Sequence, residues 1–431
     1  MAASTPDVPE TTAERDARNL NTGHRPVDAG EIAVGVIIGR TSEFFDFFVY
    51  AIASVLVFPS VIFSFAVFAL AFVARPLGTV IFSSVDRNYG RGVKLTIALM
   101  LLGISTVAIA FLPSYGQVGW WAVAILIVFR VGQGIALAGT WDGLASLLAL
   151  NAPQDKRGWY AMVPQLGAPI GLIVASALFA YLSSSLSAED FLAWGWRYPF
   201  FVAFAINVVA LFARLRIVVT PEYTGLFKSG ELIPSTIRET LSNDWRNIVI
   251  GAFAPLASFA LFHMVTVFPL SYVFLYTQEP PVNFLIIQIC SAFVGLAAVV
   301  MSGYLADRFG RRWLLGVTAA AIGVYSISAP LLLDAGQMGE ILYMVSGFIL
   351  LGLAFGQSSG VVASNFTKLY RYTGSALTSD LAWLFGAGFA PFVALALSSA
   401  FGIISSGAYL LSGAICTLVA LYLNRQLART N

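Results

Sequence analysis

Charge is what this chain has least of. Asp, Glu, Lys and Arg make up 11% of its 431 residues, against 58% hydrophobic residues and a mean hydropathy of +0.82. Soluble domains carry about a quarter charged residues, so a water-facing globular fold is excluded and the bilayer is the expected solvent. Cysteine is nearly absent. Cys290 and Cys416 both lie in apolar runs, which argues against a disulfide framework and against a thiolate metal site. With His24 and His263 as the only histidines, a histidine-rich metal centre is excluded too, and no metal or other cofactor is expected. The basic residues are scattered rather than gathered on one face, so nucleic acid is not an expected partner. The chain has no glycine-rich nucleotide loop, so nucleotide hydrolysis is not an expected activity. No nucleophile–base pair or metal constellation points to an enzyme.

What is present are long apolar runs. Residues 1–31 are polar and read as a disordered cytoplasmic tail. About twelve runs of the ~20 residues a spanning helix needs follow it. They lie near 33–57, 60–84, 94–113, 120–148, 158–183, 197–216, 248–276, 283–305, 313–334, 341–366, 374–398 and 401–423. The polar stretch 217–246 divides them six and six. The expectation is an all-α integral membrane protein with a six-helix bundle at 32–216, a cytoplasmic linker at 217–246, a second bundle at 247–424 and a tail at 425–431. One set of loops carries Arg87, Arg91, Lys94, Lys156, Arg157, Arg214, Arg308, Arg311, Arg312, Lys368 and Arg371. The opposite loops hold Glu189, Asp190, Glu279, Asp334 and Glu340. By the positive-inside rule both termini are cytoplasmic.

The first run contains the most informative residues. Gly39, Glu43, Asp46 and Tyr50 recur at helical spacing on one face, while Phe44, Phe45, Phe47 and Phe48 fill most of the rest. A carboxylate deep in a membrane helix costs a few kcal/mol or more, and such groups serve proton relay, ligand binding or a buried ion pair. The two halves also echo each other. Asp86 and Asp307 open similar loops 221 positions apart, and Gly167 lands on Gly388 at the same offset. Paired repeats with Gly- and Pro-interrupted helices suit a carrier that rocks around a central site.

Gly303-Tyr304-Leu305-Ala306-Asp307-Arg308-Phe309-Gly310-Arg311-Arg312 matches a cytoplasmic loop motif completely. Further marks are Arg75-Pro76-Leu77-Gly78, Arg130-Val131-Gly132-Gln133-Gly134, Trp194-Gly195-Trp196-Arg197 and Arg371-Tyr372-Thr373-Gly374. On these stretches the chain resembles the major facilitator superfamily, and within it the metabolite:proton symporters. The sequence departs from that pattern at Phe82, where a glycine is usual, and at Gly139-Thr140-Trp141, where an acid is missing. It departs again at Ser364, in place of an acid, and at Asp380, where a neutral polar residue is usual.

The resemblance implies twelve helices in two pseudo-repeats, with the first, fourth, seventh and tenth lining a cavity, and a monomer in the plasma membrane. Helix rise places Asp46 about 21 Å from the cytoplasmic end of its helix and Arg130 roughly 15 Å from the outer end of its own. An Asp46–Arg130 or Glu43–Arg130 contact is therefore expected, as a proton–anion coupling site or a permanent brace. Asp46 and Glu43 are the proton-coupling candidates. Arg130, Tyr50, Gln133, Arg75 and Trp141 are the substrate-binding candidates. Asp380 is expected either to meet the loop-motif arginines or to handle protons, and His263 either to titrate or to pack. The gating loops comprise Asp86, Arg87 and Arg91, with Gly303, Asp307, Arg308, Gly310, Arg311 and Arg312. By resemblance Asp86 latches near the start of the eleventh helix and Asp307 near the start of the fifth, holding the outward-open state. The function expected is proton-coupled import of a small organic acid or related polar metabolite. Export by proton antiport, or a receptor on the same fold, are the alternatives.

Overall fold

The computed structural model describes residues 29–140, 148, 152–218, 234–364, 366 and 369–424. Trp141, Ser364's side chain, Lys368 and residues 1–28 and 425–431 lie outside what is described. No strand occurs among the described residues. A bilayer core offers no water to backbone N–H and C=O groups, so a spanning segment must satisfy them internally, and helices do so.

The first half comprises α1 (Ala29–Leu56), α2 (Val61–Tyr89), α3 (Arg91–Ala110), α4 (Trp120–Gly139), α5 (Arg157–Ser185) and α6 (Tyr198–Val218). The second half comprises α7 (Leu256–Tyr276), α8 (Pro281–Phe309), α9 (Arg311–Leu333), α10 (Gly336–Val362), α11 (Arg371–Phe401) and α12 (Ile403–Leu423). A further helix, Ile237–Phe253, leads into α7 from within the stretch expected as linker. Its start is capped by the Thr236 side chain and its path breaks at Asp244. Eleven spans among the described residues are long and apolar enough to cross a membrane. α1 has the length as well, but Arg40, Glu43 and Asp46 interrupt its apolar run.

Packing within the first half depends on small residues. A Cβ on Gly134 of α4 would stand 2.1 Å from the Ala71 carbonyl oxygen of α2, and one on Gly78 would stand 2.4 Å from that of Ile135. Only hydrogen at these positions lets the two backbones come so close. The two loop glycines, Gly90 and Gly310, hold φ of 85° and 87°, the left-handed region that a side chain avoids. Each ends one long helix and starts the next at equivalent places in the two halves.

The halves meet along two seams, α2 against α11 and α5 against α8. Between the seams a buried cluster of rings joins them. Phe44, Phe47, Phe48 and Phe72 from the first half pack on Phe259, Phe262, Phe355 and Trp383 from the second.

Candidate substrate and proton site

α1 sorts its side chains by face. The Phe44 ring lies 5.6 Å from that of Phe262 and 5.9 Å from that of Trp383, while Phe47 stacks on Phe72 at 5.1 Å. These rings look at the interface with the second half. Both carboxylates turn the other way, into their own bundle.

Glu43 is held by two guanidinium groups. Its Oε1 accepts from Arg214 Nη2 of α6 at 2.5 Å, and its Oε2 from Arg40 Nη1 at 2.6 Å. Arg214 Nη1 also donates to the Thr140 carbonyl at 2.5 Å. Gly39 makes room for this, since a Cβ there would stand 2.2 Å from Arg214 Nε.

Asp46 is only 2% exposed. Its Oδ2 accepts from Asn207 Nδ2 of α6 at 2.8 Å, and Asn207 Oδ1 accepts from Ser42 Oγ at 2.6 Å. The Thr106 hydroxyl is a further hydrogen-bonding neighbour of Asp46, and Glu43 and Arg130 act on the carboxylate through their charge.

Arg130 is buried at 1% exposure and lies above the Tyr50 ring, 4.0 Å from guanidinium carbon to centroid. Its Nη1 donates to Gln133 Oε1 at 2.7 Å and its Nη2 to the Phe68 carbonyl at 2.8 Å. Gln133 Nε2 donates onward to Thr106 Oγ1 at 2.7 Å. A polar line thus runs Arg130–Gln133–Thr106 towards Asp46 and on to Asn207 and Ser42, across α4, α3, α1 and α6.

The expected direct ion pair between Arg130 and either acid is not formed. Arg130 is held by a carbonyl, an amide and a ring, and Glu43, almost one turn before Asp46, falls within reach of Arg214 instead. Sequence reading counted Arg214 among loop charges and passed over Asn207 and Thr106. Their one available signal was polarity inside an apolar run.

Of the two roles expected for Asp380, contact with the loop-motif arginines is not formed. Its partners are Arg75 Nε at 3.0 Å and the Thr79 hydroxyl, both on α2, not the loop-motif arginines. Those arginines are engaged elsewhere. Arg91 binds Asp86, Arg311 reaches Gln357 Oε1 and the Gly360 carbonyl, and Arg312 reaches the Asn424 carbonyl. Arg87 lies on Ser83 and the Ser235 carbonyl, and Arg308 on Tyr304. Asp380 faces α2 because the two helices run side by side along one seam.

His263 is enclosed by rings, its centroid 5.0 Å from that of Phe262 and 5.1 Å from that of Phe68. Nδ1 lies 3.3 Å from Thr266 Oγ1, and Nε2 has no partner among the described residues. Trp141, named with the substrate residues, lies outside the described residues.

The loop aspartates sit where the two seams reach one end of the bundle, hereafter the motif end. Asp86 Oδ2 takes Arg91 Nη2 at 3.0 Å, Lys94 Nζ at 3.3 Å and, across the seam, Tyr372 Oη of α11 at 3.0 Å. Asp307 accepts from the Gly158 and Trp159 amides at 2.5 and 3.0 Å. Those amides belong to the first turn of α5, where unpaired N–H groups and the helix dipole favour a carboxylate. A Cβ on Gly158 would stand 2.7 Å from Asp307 Oδ1, and one on Gly303 2.9 Å from Met162. Gln357 Nε2 adds a bond to the Gly158 carbonyl at 3.0 Å, and Gln165 Nε2 one to Ser358 Oγ at 3.1 Å.

Between the ring cluster and the motif end lies a cavity walled by both halves, with Arg40 and Gln165 on one side and Phe355, Ser358, Ser379 and Trp383 on the other. Among the described residues no group of three or more His, Cys, Asp or Glu side chains is placed to hold a metal ion.

A family profile described as Major Facilitator Superfamily matches residues 36–379. Among curated relatives, the inner membrane metabolite transport protein YhjE of Escherichia coli is 34% identical over 424 residues, covering 94% of this chain and 96% of the relative. The shikimate transporter of Escherichia coli is 30% identical over 430 residues, covering 93% and 95%. Among solved structures, the proton:xylose symporter XylE bound to 6-bromo-6-deoxy-D-glucose superposes with a TM-score of 0.66 at 18% identity. That match covers 91% of this chain and 94% of the other. The chain belongs to the Major Facilitator Superfamily and is an integral membrane transporter of metabolites, not an enzyme.

Proposed function

We propose that this carrier couples proton movement to import of a small organic acid or related polar metabolite by alternating access. The observation that carries the reading is Asp46, a buried carboxylate that accepts from the neutral Asn207 amide and forms no ion pair among the described residues. With no counter-charge bonded to it, a charge in that position carries a desolvation cost that binding a proton removes. Glu43, clamped between Arg40 and Arg214, is the brace of the first half. Of the two acids, Asp46 therefore takes the proton. Arg130, which cannot practically lose its own proton, offers the anion a guanidinium above the Tyr50 ring. The line through Gln133 and Thr106 connects the two events.

Loop charge supports a cytoplasmic motif end, with both termini on that side. There Asp86 and Asp307 clip the two seams and hold the outward-facing state. The carrier acts as a monomer in the lipid of the plasma membrane, the inner membrane in a bacterium. Kinship with a shikimate transporter and a metabolite transport protein supports a polar metabolite as cargo. Likeness in fold to a proton:xylose symporter supports a proton as the coupling ion.

The test is uptake of labelled shikimate, other carboxylates and glycine betaine into reconstituted vesicles, with and without an inward proton gradient. Gradient-dependent accumulation of an acid is expected. Asp46→Asn should abolish that accumulation while exchange of internal for external substrate continues. Equal loss of both would make Asp46 a brace.

A further inference from the structure

The Arg75–Asp380 pair has no part in the chemistry assigned to Asp46 and Arg130, yet it ties the two halves together inside the bundle. Arg75 and Thr79 stand one turn apart on α2, and both bind the same carboxylate of α11. Arg75 and Asp380 side chains are 8% and 3% exposed. This clamp differs from the loop contacts at the motif end. Asp307 accepts backbone amides, and Asp86 already holds Arg91 and Lys94 in its own half. At Arg75–Asp380 the ion pair across the seam depends on the charge of one acid.

Two neighbouring features fit a moving part. Immediately after Asp380, residues Trp383–Gly388 form a π-helical segment in α11. Such segments carry an extra residue per turn, and returning to α-geometry turns one end of the helix relative to the other. Trp383 also lies under the Arg75 guanidinium, 5.9 Å from its ring centroid. Next to Asp380 in the chain, Ser379 lines the small, mostly apolar cavity shared with Arg40, Gln165 and Ser358.

Resting on the alternating-access reading above, we infer that Asp380 is a second proton-binding site, whose protonation releases Arg75 and unlocks the α2–α11 seam. The charged surroundings are simple. Arg75 is the charged group paired with Asp380. On the helix packed beside this part of α11, Glu239 is turned to Tyr370 and Asp244 to Asn247. The Asp86, Arg91, Lys94 and Tyr372 cluster lies about two turns, roughly 12 Å, towards the motif end. His263 is shut in by rings.

The experiment is a distance measurement between spin labels at Tyr89→Cys and Phe309→Cys, exposed positions at the motif end of each half, with Cys290 and Cys416 replaced by alanine. The carrier is reconstituted without substrate and measured at pH 8 and pH 5.5. Acidification is expected to raise the population with separated labels by about tenfold relative to the joined one. Asp380→Asn should show the separated population at both pH values. A pH response that persists in Asp380→Asn overturns the inference, as does its absence from the unaltered carrier. Should Asp380→Asn fail to fold, Asp380→Glu keeps the charge and must move the midpoint of the response; an unmoved midpoint overturns the inference equally. Loss of the response in Asp46→Asn alone would also overturn it and leave the Asp46 reading intact.

Discussion

At the scale of single residues, three buried acids share one membrane interior and differ in their partners. Glu43 has two guanidinium groups, Asp380 has one and a hydroxyl, and Asp46 has an amide. Breaking a buried ion pair by removing one partner costs about 3–5 kcal/mol, because the other charge stays buried alone. Glu43→Gln should therefore lower thermal stability in detergent by several kcal/mol, measured as the midpoint of unfolding. Glu43→Gln combined with Arg214→Met should recover part of the loss. Asp46→Asn removes no ion pair and should leave that midpoint nearly unchanged. Tyr50→Ala should weaken substrate binding through loss of the ring beneath Arg130, whereas Tyr50→Phe keeps the ring and gives up only the hydroxyl's 3.3 Å contact with the Ser64 carbonyl. Binding affinity of the transported acid checks both.

At the scale of elements, glycine decides how near two helices come. Gly134→Ala would drive its methyl into the Ala71 carbonyl at 2.1 Å, and backbone cannot step aside as a side-chain tip can. Overpacking of this kind costs about 1–3 kcal/mol, so the unfolding midpoint should fall. Gly39→Ala presses on Arg214 instead. It should disturb the Glu43 brace and lower stability only while Arg214 is present; Gly39→Ala in an Arg214→Met background should be nearly silent. The spacing of Gly39, Glu43, Asp46 and Tyr50 was legible as one face from the sequence. Which way the face turned was not, because an apolar helix with rings on one side and acids on the other can bury either against a neighbour.

At the scale of the whole molecule, the motif end is closed by bonds that cross both seams. Asp307 caps α5 through two amides, so Asp307→Asn weakens the α8–α5 clip without removing its shape. Exposure of a cysteine introduced at Ser358 to a water-soluble thiol reagent from the motif end should rise several-fold in that variant. Unchanged labelling would separate the loop from the gate. Asp86→Asn should act less strongly, since Arg91 and Lys94 bind Asp86 within its own half and only Tyr372 crosses.

The sequence by itself determined the solvent, the all-helical class and the family. Each follows from local quantities: apolar length, charge between runs, and a loop motif contiguous in the chain. It also marked Asp46, Arg130, Asp380 and Arg75 as groups that a bilayer tolerates only with a purpose. Tertiary structure alone decided their partners. Asp46 and Arg130 lie 84 positions apart and Arg75 and Asp380 305, so whether they touch depends on how helices turn and pack. Depth along a helix could be counted from residue number, which is why Arg130 and Asp46 share a level. Rotation about the helix could not, and rotation sends Glu43 to Arg214, Asp46 to Asn207 and Asp380 to Arg75.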